Sequence, residues 1–391
     1  MSKIIRVLHC PTGTGGNPQG LSRAEKLLGL ASWTVVFLQN YFQYPTDEIL
    51  VDQTTNKFSR LYLEIQRWRL LYRALKDFDI IHFNFGTSIL PQSLLDNSQA
   101  KYPNVIKYIY QIYARLVELK DLQLLKFFNK GLVVTFQGDD VRQGDFCRNH
   151  FPITIANEVE VGYYSDESDK FKRWKIIQFD KYADRLFSLN PDLMHILPER
   201  TQFLPYSHID LNDWKTIHFR DVSVRTINII HAPTHRQAKG SRFIFEAIDR
   251  LKLEDINFNF TVVEGLSNIE ARKLYSESDL LIDQLLAGWY GGLAVELMAL
   301  GKPVICYIRD EDLKFIPEEM QKDLPIIKAT PETIFSVLEY YLTLGRSELK
   351  NISKRSRLYV EKWHDPQKIA FRMKQEYEMI LQTKKLQSDK N

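Results

Sequence analysis

The sequence predicts an α/β protein made of two successive halves, each a parallel sheet with helices on both faces. Short apolar runs rich in β-branched residues recur along the chain, and longer helical stretches separate them. These runs are continuous rather than alternating, which is typical of strands buried on both faces of a parallel sheet. Apolar residues become scarce near 216–226 and the pattern then begins again, which indicates two similar halves.

The apolar runs define the predicted strands and the domain division. The predicted strands are 4–9, 33–38, 79–85, 132–136 and 185–189 in the first half, and 227–231, 259–263, 280–283 and 303–308 in the second. We assign 1–220 to an N-terminal and 221–391 to a C-terminal domain, both Rossmann-like and doubly wound. The last helix is predicted to start after Pro366 and to cross back to the N-terminal domain. We expect a central cleft between the domains, with site residues directly after strands.

Composition excludes several classes of protein. The 391 residues are 44% hydrophobic and 26% charged, which excludes disordered and collagen-like chains. The 52 Lys and Arg residues barely exceed the 49 Asp and Glu residues, so we expect no nucleic-acid partner. Cys10, Cys147 and Cys306 lack CxxC spacing and are interpreted as reduced thiols. We find no signal-peptide pattern and no apolar run of membrane-spanning length, and expect a cytoplasmic protein.

A glycine-rich loop follows the first predicted strand. Gly13, Gly15, Gly16 and Gly20 lie between this strand and a predicted helix. Glycines allow backbone N–H groups to approach a phosphate or a sugar, and the helix N-terminus adds positive charge. The spacing is not GxGxxG, so it gives little support to nicotinamide binding. The alternative is a flexible turn without a ligand.

Polar residues follow the predicted strand 132–136. Gln137 and Asp139 are suited to sugar hydroxyls, because amide and carboxylate oxygens accept the hydrogen bonds that hydroxyls donate. The alternative is a turn in which Asp140 and Arg142 cap a helix.

A basic loop follows the predicted strand 227–231. It contains Thr234, Arg236 and Lys239, and Gly240 precedes the next helix. Two cations three residues apart beside a helix N-terminus make a site suited to a diphosphate. An ordinary solvated basic loop is the alternative.

The strongest motif follows the predicted strand 280–283. Gly288, Gly291 and Gly292 lead into a helix in which Glu296 lies about one turn from the start, and Gly301 ends that helix. A carboxylate at this position can bind a ribose diol while the loop and the helix N-terminus face phosphates. The alternative places Glu296 on an exposed helix face.

These segments together resemble GT-B glycosyltransferases of the retaining, nucleotide-sugar-dependent type (glycosyltransferase family 4-like, glycosyl transferases group 1). The resemblance rests on GKPV after the glutamate-bearing helix, on the helix opened by KG, on TFQGDDVR, and on LFSLNPDL with FLPYSHIDL. It implies that Arg236 and Lys239 hold the donor diphosphate and that Glu296 binds the nucleotide ribose. The cations are closer together here than is usual in the family.

Two positions depart from the family pattern. A glutamate eight residues before the second one is often close to the donor sugar, and here that position is Gly288. A histidine at the strand end before Gly–x–Asp is often near the transferred sugar, and here it is Gln137. Neither residue is a nucleophile, since retaining members are thought to use the leaving phosphate as base. These departures motivate a rival hypothesis, a catalytically idle binding or partner subunit.

The candidate residues form a catalytic and a substrate-binding group. The candidate catalytic residues are Arg236, Lys239, Gln137 and Asp139, and the candidate substrate-binding residues are Gly15, Gly16, Thr234, Gly288, Gly291, Gly292, Leu293 and Glu296. Asp139 and Asp283 are also compatible with the paired carboxylates of a glycosidase or a metal site. No Asp-x-Asp stands directly at the end of a predicted strand, so we expect no metal and no cofactor, with the nucleotide-diphosphate sugar as co-substrate.

Two helical segments are basic and rich in aromatic residues. They are 57–76 and 101–130, and they are compatible either with contact to anionic lipid or with core-packed helices that have a basic outer face. The family resemblance implies a metal-independent, hexosyltransferase-type enzyme of surface polysaccharide or glycolipid biosynthesis. Its partners would be a nucleotide sugar donor and a glycan or lipid-linked acceptor. Its location would be cytoplasmic, peripheral on the inner face of the cell membrane.

Overall fold

The chain divides into two compact units. The computed structural model describes residues 4–39, 43–51, 57–93, 104–217, 222, 225–266 and 268–389. The first unit comprises Met1–Gln143, Asp166–His208 and Pro366–Asn391, and the second comprises Gly144–Ser165 and Ile209–Asp365. Residue 220, where the sequence predicts a domain boundary, lies outside the described residues.

Strands and helices alternate along much of the chain. The strands are β1 (Arg6–Cys10), β2 (Ala31–Leu38), β3 (Glu48–Val51), β4 (Ile80–Asn84), β5 (Gly131–Phe136), β6 (Arg185–Ser188), β7 (Gln202–Phe203), β8 (Ile227–His231), β9 (Phe258–Val262), β10 (Leu280–Ile282), β11 (Val304–Cys306) and β12 (Ile327–Lys328). The helices are α1 (Asn17–Leu27), α2 (Lys57–Asp77), α3 (Asn104–Val117), α4 (Lys120–Phe127), α5 (Gly144–His150), α6 (Asp166–Tyr182), α7 (Arg236–Lys239), α8 (Ser241–Leu253), α9 (Asn268–Glu277), α10 (Gly292–Ala299), α11 (Glu318–Asp323), α12 (Ile334–Leu342), α13 (Glu348–Trp363) and α14 (Pro366–Ser388).

The first unit contains a sheet of seven strands within the described residues, in the order β3-β2-β1-β4-β5-β6-β7. Neighbouring strands pair in parallel. Every residue of β4 and β5 is buried, which explains why most of their residues are apolar at consecutive positions. The edge strands β3 and β7 have no such run, because they are only four and two residues long.

The second unit contains a sheet of five strands in the described part of the chain, in the order β12-β11-β10-β8-β9. These strands also pair in parallel. Strand β9 lies at an edge and its residues alternate between half-buried and exposed, whereas β10 and β11 in the interior are wholly buried. The predicted α/β fold with two parallel sheets is therefore confirmed.

Helix α14 is part of the first unit and is held there by a buried polar chain. The Tyr377 hydroxyl donates to Glu25 Oε1 at 2.9 Å and lies 2.9 Å from His82 Nδ1. Since that hydroxyl proton is already used, Nδ1–H of His82 donates to it, and His82 Nε2 accepts from Thr135 Oγ1 at 2.7 Å. Burial lowers the pKa of His82 well below its usual value, so the ring is neutral.

The segment Gly144–Ser165 packs in the second unit, although it is continuous with β5 of the first. Phe151, Ile155 and Tyr164 form a buried cluster with Leu286 and Ala287, which follow β10. The loop after β10 therefore rests on a segment from far earlier in the sequence. Among the described residues, no helix is both long enough and apolar enough to span a membrane.

Candidate functional site

The carboxyl ends of β8 and β10 in the second unit lie at a cluster of polar residues. His231, the last residue of β8, is completely buried and joins two neighbouring elements. Burial, assisted by the positive charge of Lys239, lowers the pKa of His231 to about 4, so the ring is neutral at pH 7. Its Nδ1–H donates to the carbonyl oxygen of Ile282 at 2.8 Å, and its Nε2 accepts from Ser241 Oγ at 2.8 Å.

Lys239 is brought to the start of α10. It ends the short helix α7, whose first turn is capped by His235 through a hydrogen bond from the Ala238 N–H at 3.2 Å. The Lys239 ammonium donates to Asp283 Oδ1 at 3.0 Å, and the Gly291 N–H donates to Asp283 Oδ2 at 2.7 Å. A methyl group on Gly291 would lie only 3.3 Å from Lys239 Nζ. An ammonium group and a helix N-terminus therefore meet at one carboxylate.

Asp283 is a residue to which the sequence assigned only a minor alternative role. Its side chain is about 1% exposed, whereas that of Lys239 is 18% exposed. The Asp283 carboxylate is thus buried beneath the cluster, and the Lys239 ammonium is the more solvent-exposed of the two groups. A buried carboxylate needs such partners, because removing it from water without compensation is costly. Its burial directly after β10 could have been read from the sequence, but its partners could not.

Helix α10 carries Glu296 on its second turn. Gly291 is the N-cap of the helix, and Gly292 and Leu293 are its first residues. Backbone N–H groups in the first turn of an α-helix have no partner within the helix and create a partial positive charge. Glu296 is buried, at 8% exposure, so the alternative of an exposed helix residue is wrong. Its charge adds to the effect of burial in raising the pKa of Tyr275.

Gly288 lies where no side chain fits. Its φ is +81°, a conformation that residues with a Cβ rarely adopt. A Cβ there would lie 2.7 Å from Nη1 of Arg309. The Arg309 guanidinium stacks 3.6 Å from the centre of the Phe151 ring and donates to Asp312 at 2.8 Å. A glutamate at 288 would therefore require Arg309 to move, which gives a physical reason for the departure from the family pattern.

The loop between Gly288 and α10 is anchored by two buried aromatic residues. Trp289 and Tyr290 are almost completely inaccessible to solvent. The Tyr290 hydroxyl lies 2.8 Å from the Tyr359 hydroxyl and 2.9 Å from His364 Nε2. Gln284 donates its side-chain N–H to the Trp289 carbonyl oxygen. The glycines that open α10 are thus held by a rigid support.

Arg236 and Thr234 are in a different environment from Lys239. The Arg236 guanidinium binds Glu264 through two hydrogen bonds, of 2.8 and 2.5 Å. This pair lies at the surface, where the Arg236 side chain is 59% exposed. Thr234 is exposed as well. Lys239 and Gly291 are therefore both hydrogen-bonded to Asp283. Arg236 is instead paired with Glu264, which follows β9.

The first unit brings Gln137 next to the glycine loop. Gly15 and Gly16 have φ values of +62° and +69°, so the turn there requires glycine. A Cβ on Gly15 would lie 4.0 Å from Gln137 Oε1. The Gln137 side chain is largely buried, and its Nε2 has no hydrogen-bond partner in the described structure. The Gln137 amide oxygen therefore lies beside this turn, while its buried Nε2 donor is not used by any hydrogen bond among the described residues.

Asp140, rather than Asp139, holds the turn after β5. Its Oδ1 accepts from the Gly138 N–H at 2.7 Å and from the Gln137 N–H at 3.2 Å. Burial raises the pKa of Asp140 to about 6, although the neighbouring Lys175 opposes this effect. Lys175 is itself buried, which lowers its pKa to about 8. The sequence gives no indication that Lys175 is buried, because a lysine within a helix such as α6 normally reaches solvent.

Asp139 is part of a chain of charges. It accepts from Arg142 Nη1 at 2.8 Å, while Nε of the same arginine donates to Asp192 Oδ2 at 2.9 Å. The Asp139 side chain is one-third exposed, so it is accessible to a ligand. Asn190 donates to the Gln137 carbonyl oxygen at 2.5 Å, an interaction the sequence did not reveal. Asp139 lies in the first unit and Asp283 in the second.

Solved structures with the same fold align with nearly the whole chain. Sucrose-phosphate synthase from Thermosynechococcus elongatus aligns with a TM-score of 0.58 at 13% identity, over 97% of this chain and 100% of that one. HepE from Anabaena, in complex with UDP-glucose, aligns with a TM-score of 0.57 at 12% identity and the same coverage. The catalytic domain of starch synthase IV from Arabidopsis thaliana, bound to ADP and acarbose, aligns with a TM-score of 0.57 at 12% identity, over 97% of this chain and 100% of that one.

At the level of sequence, no protein-family model and no curated protein matches the chain. The similarity to the solved structures extends over nearly the whole length of each chain, and it therefore concerns both units. The expected GT-B fold is confirmed.

Proposed function

We propose that this GT-B chain is a glycosyltransferase that binds a nucleotide-diphosphate sugar in its second unit. The observation that carries the proposal is the meeting of Lys239 Nζ with the start of α10, where Gly291 and Asp283 complete the cluster. An ammonium group beside a helix N-terminus is suited to a diphosphate. HepE, solved with UDP-glucose, and starch synthase IV, solved with ADP, support this choice of ligand by their fold.

The chemistry follows from charge development during transfer. Breaking the bond between the anomeric carbon and the diphosphate oxygen leaves both bonding electrons on the diphosphate, which becomes more negative. Lys239 and the N–H groups of Gly292 and Leu293 would stabilise that charge, and would act more strongly on the transition state than on the bound donor. Arg236 would add a longer-range positive charge that Glu264 partly neutralises.

The remaining roles come from the residues that the sequence singled out. Glu296 would bind the ribose hydroxyls from the second turn of α10. Gln137 and Asp139 would orient a sugar, since the first has an unpartnered amide and the second a partly exposed carboxylate. We also propose hexosyl transfer with retention and without a metal, to a glycan or lipid-linked acceptor. The setting would be surface polysaccharide or glycolipid biosynthesis, as the family resemblance implies, at the cytoplasmic face of the membrane, as the basic helical segments suggest.

Binding and turnover are tested separately. A thermal-shift panel of UDP, GDP, ADP, CMP and TDP compounds identifies the base, because a ligand at 100 times its Kd stabilises a protein by about 2.7 kcal/mol. Release of nucleoside diphosphate from the matching sugar donors then measures turnover. We expect Lys239→Ala to lower kcat by about 10²–10³, with a smaller loss of donor affinity.

Lys252→Ala is the matched control, because Lys252 lies near the end of α8 and its side chain is 60% exposed. It should turn over donor at the wild-type rate. A folded Lys239→Ala protein with normal kcat would remove Lys239 from the chemistry. If none of the compounds stabilises the protein, the proposal that it binds a nucleotide sugar is contradicted. A wild-type protein that binds donor and never turns it over would be the idle subunit.

A further inference from the structure

Helix α3 of the first unit turns its apolar face to the solvent. Its apolar residues Val105, Tyr108, Ile109, Ile112 and Leu116 follow helical spacing, so they form one stripe. All are exposed, from 44% for Ile112 to 69% for Val105 and Leu116. A surface helix of a globular protein normally buries this stripe against the core. The stripe on α3 is therefore available for contact with something other than this chain.

The side of α3 that carries Tyr110, Tyr113 and Ala114 is attached to α2 by polar contacts. The hydroxyls of Tyr110 and Tyr113 donate to the two oxygens of Glu64, at 2.9 and 3.0 Å. Trp68 Nε1 donates to the Tyr113 hydroxyl at 2.8 Å. Ala114 on this face is completely buried. These contacts fix the orientation of α3, so its exposed apolar face is a consequence of how it packs.

Helix α2 continues the apolar surface. Leu61, Ile65, Trp68 and Tyr72 are spaced four, three and four residues apart and are all exposed, together with Tyr62. The hydrogen bond between Trp68 and Tyr113 places the two stripes next to each other. We call these residues the α2–α3 surface: Leu61, Tyr62, Ile65, Trp68, Tyr72, Val105, Tyr108, Ile109, Ile112 and Leu116. Exposed apolar patches that span several side chains of two elements mark interaction sites.

The charge around this surface is positive. Arg69 and Lys76 lie on the exposed side of α2, at helical spacing from Ile65 and Tyr72, and Arg115 flanks Tyr108 and Ile112 on α3. The only carboxylate among 61–76 and 105–117 is Glu64, which is buried against the tyrosines. Asp77 at the end of α2 and Glu118 directly after α3 lie outside these ranges, and the basic residues of the two helices outnumber them, so a negatively charged partner is attracted.

We propose that the α2–α3 surface binds an anionic lipid bilayer. The two helices would lie along the membrane with their aliphatic side chains at the acyl boundary. Tyr62, Tyr72 and Tyr108 would lie at the headgroup level, where an aromatic ring with a polar group is favoured. Arg69, Lys76 and Arg115 would contact lipid phosphates. The contact is peripheral, in line with the absence of a spanning helix from the described residues. It does not depend on glycosyl transfer.

The test uses the full-length protein and sedimentation with vesicles. One set of vesicles contains phosphatidylcholine alone and the other adds phosphatidylglycerol. We expect binding to the second set, and a loss of binding as salt is raised, because salt screens the attraction. Each basic residue near an anionic surface contributes about a fivefold factor, so Arg69→Gln, Lys76→Gln and Arg115→Gln together should weaken binding by about 100-fold.

Apolar variants test the other half of the surface. Ile65→Gln, Ile109→Gln and Ile112→Gln together should also weaken vesicle binding by at least about tenfold, since the aliphatic groups no longer bury apolar area. Exposed residues elsewhere give matched controls: Ile177→Gln, Leu253→Gln and Leu358→Gln for the apolar set, and Lys252→Gln, Lys322→Gln and Lys350→Gln for the charged set. These should bind as wild type, and circular dichroism checks that all variants are folded.

Three results would overturn the proposal. The first is no binding to vesicles of either composition. The second is equal binding to neutral and anionic vesicles with no effect of the charged variants. The third is sedimentation velocity showing a wild-type dimer that the apolar variants dissociate, which would assign the surface to a second copy of the chain.

Discussion

Asp283 Oδ1 accepts a hydrogen bond from Lys239 Nζ at 3.0 Å, although the two residues are 44 positions apart in the sequence. Its second oxygen binds the N–H of Gly291, so one carboxylate aligns both parts of the proposed diphosphate cradle. The same carboxylate also places a negative charge beside the position proposed for the negative ligand. Asp283 should therefore help turnover while opposing ground-state binding.

Asp283→Asn separates these two effects. Removing the charge of Asp283 should tighten nucleoside diphosphate binding by about tenfold, because the carboxylate no longer repels the negative diphosphate. Repulsion between two like charges near a protein surface amounts to a few kcal/mol at most. The kcat should fall by about 10–100-fold, since Lys239 loses the partner that positions it. Calorimetry gives the Kd, and release of nucleoside diphosphate gives kcat.

Asp249→Asn is the control for the Asp283 variant, because Asp249 is an exposed carboxylate next to a lysine in the same unit. Neither its Kd nor its kcat should change. Weaker binding with unchanged kcat in Asp283→Asn would show that Asp283 has no positioning role.

Glu296→Gln tests the ribose contact. The substitution should weaken nucleotide binding by about 1.5–3 kcal/mol, the range for hydrogen bonds to a charged group. Wild type should bind a 2′-deoxynucleoside diphosphate more weakly than the ribonucleotide, by a similar amount. The Glu296→Gln variant should bind the two nucleotides with nearly equal affinity, because both changes remove the same interaction. Glu254→Gln, an exposed change in the same unit, serves as control. Fully additive losses would place Glu296 away from the ribose.

Asp140→Asn tests the buried charge in the first unit. Burial raises the pKa of Asp140 from 3.8 to about 6, so the folded state favours the neutral carboxyl. A raised carboxyl pKa contributes stability that is present below about pH 4 and is lost as the pH rises through about 6. Relative to the asparagine variant, wild type should therefore lose about 3 kcal/mol between pH 4 and pH 7.

Urea unfolding at both pH values measures this difference. Asparagine keeps the Oδ1 acceptor that binds the N–H groups of Gln137 and Gly138, so the turn should persist. The exposed Asp249→Asn should show no such dependence on pH. A constant difference in stability between Asp140→Asn and wild type at pH 4 and pH 7 would refute the shifted pKa.

Tyr377→Phe tests how the last helix is held. Removing the hydroxyl leaves the buried carboxylate of Glu25 and the Nδ1–H of His82 each without one partner. The free energy of unfolding should fall by about 1–3 kcal/mol, the cost of an unsatisfied buried group. Tyr340→Phe removes a hydroxyl from an exposed residue and should cost less. Equal stability of the two variants would mean that water replaces the lost partner.

The predicted strands at β1, β4, β5 and β8 lie where their apolar runs are, because a strand buried on both faces needs apolar residues at consecutive positions. The edge strands β3, β7 and β12 were not predicted, because they are only two to four residues long, whereas the longer edge strand β9 lies where the run 259–263 predicts a strand. The pattern of α3 predicts a helix but not the direction of its apolar face. Its attachment through Tyr110 and Tyr113 decides that direction.

For the candidate site, the sequence by itself determined the α/β class, the glycines before α10 and the position of Glu296 in that helix, because these depend on local pattern and backbone conformation. The tertiary structure alone decided that Lys239 meets Asp283 while Arg236 meets Glu264, and that Arg309 lies beside Gly288. It also placed Gly144–Ser165 in the second unit. Charged side chains pair with whatever packing brings within hydrogen-bond distance, and parallel sheets bring together residues that are far apart in the chain.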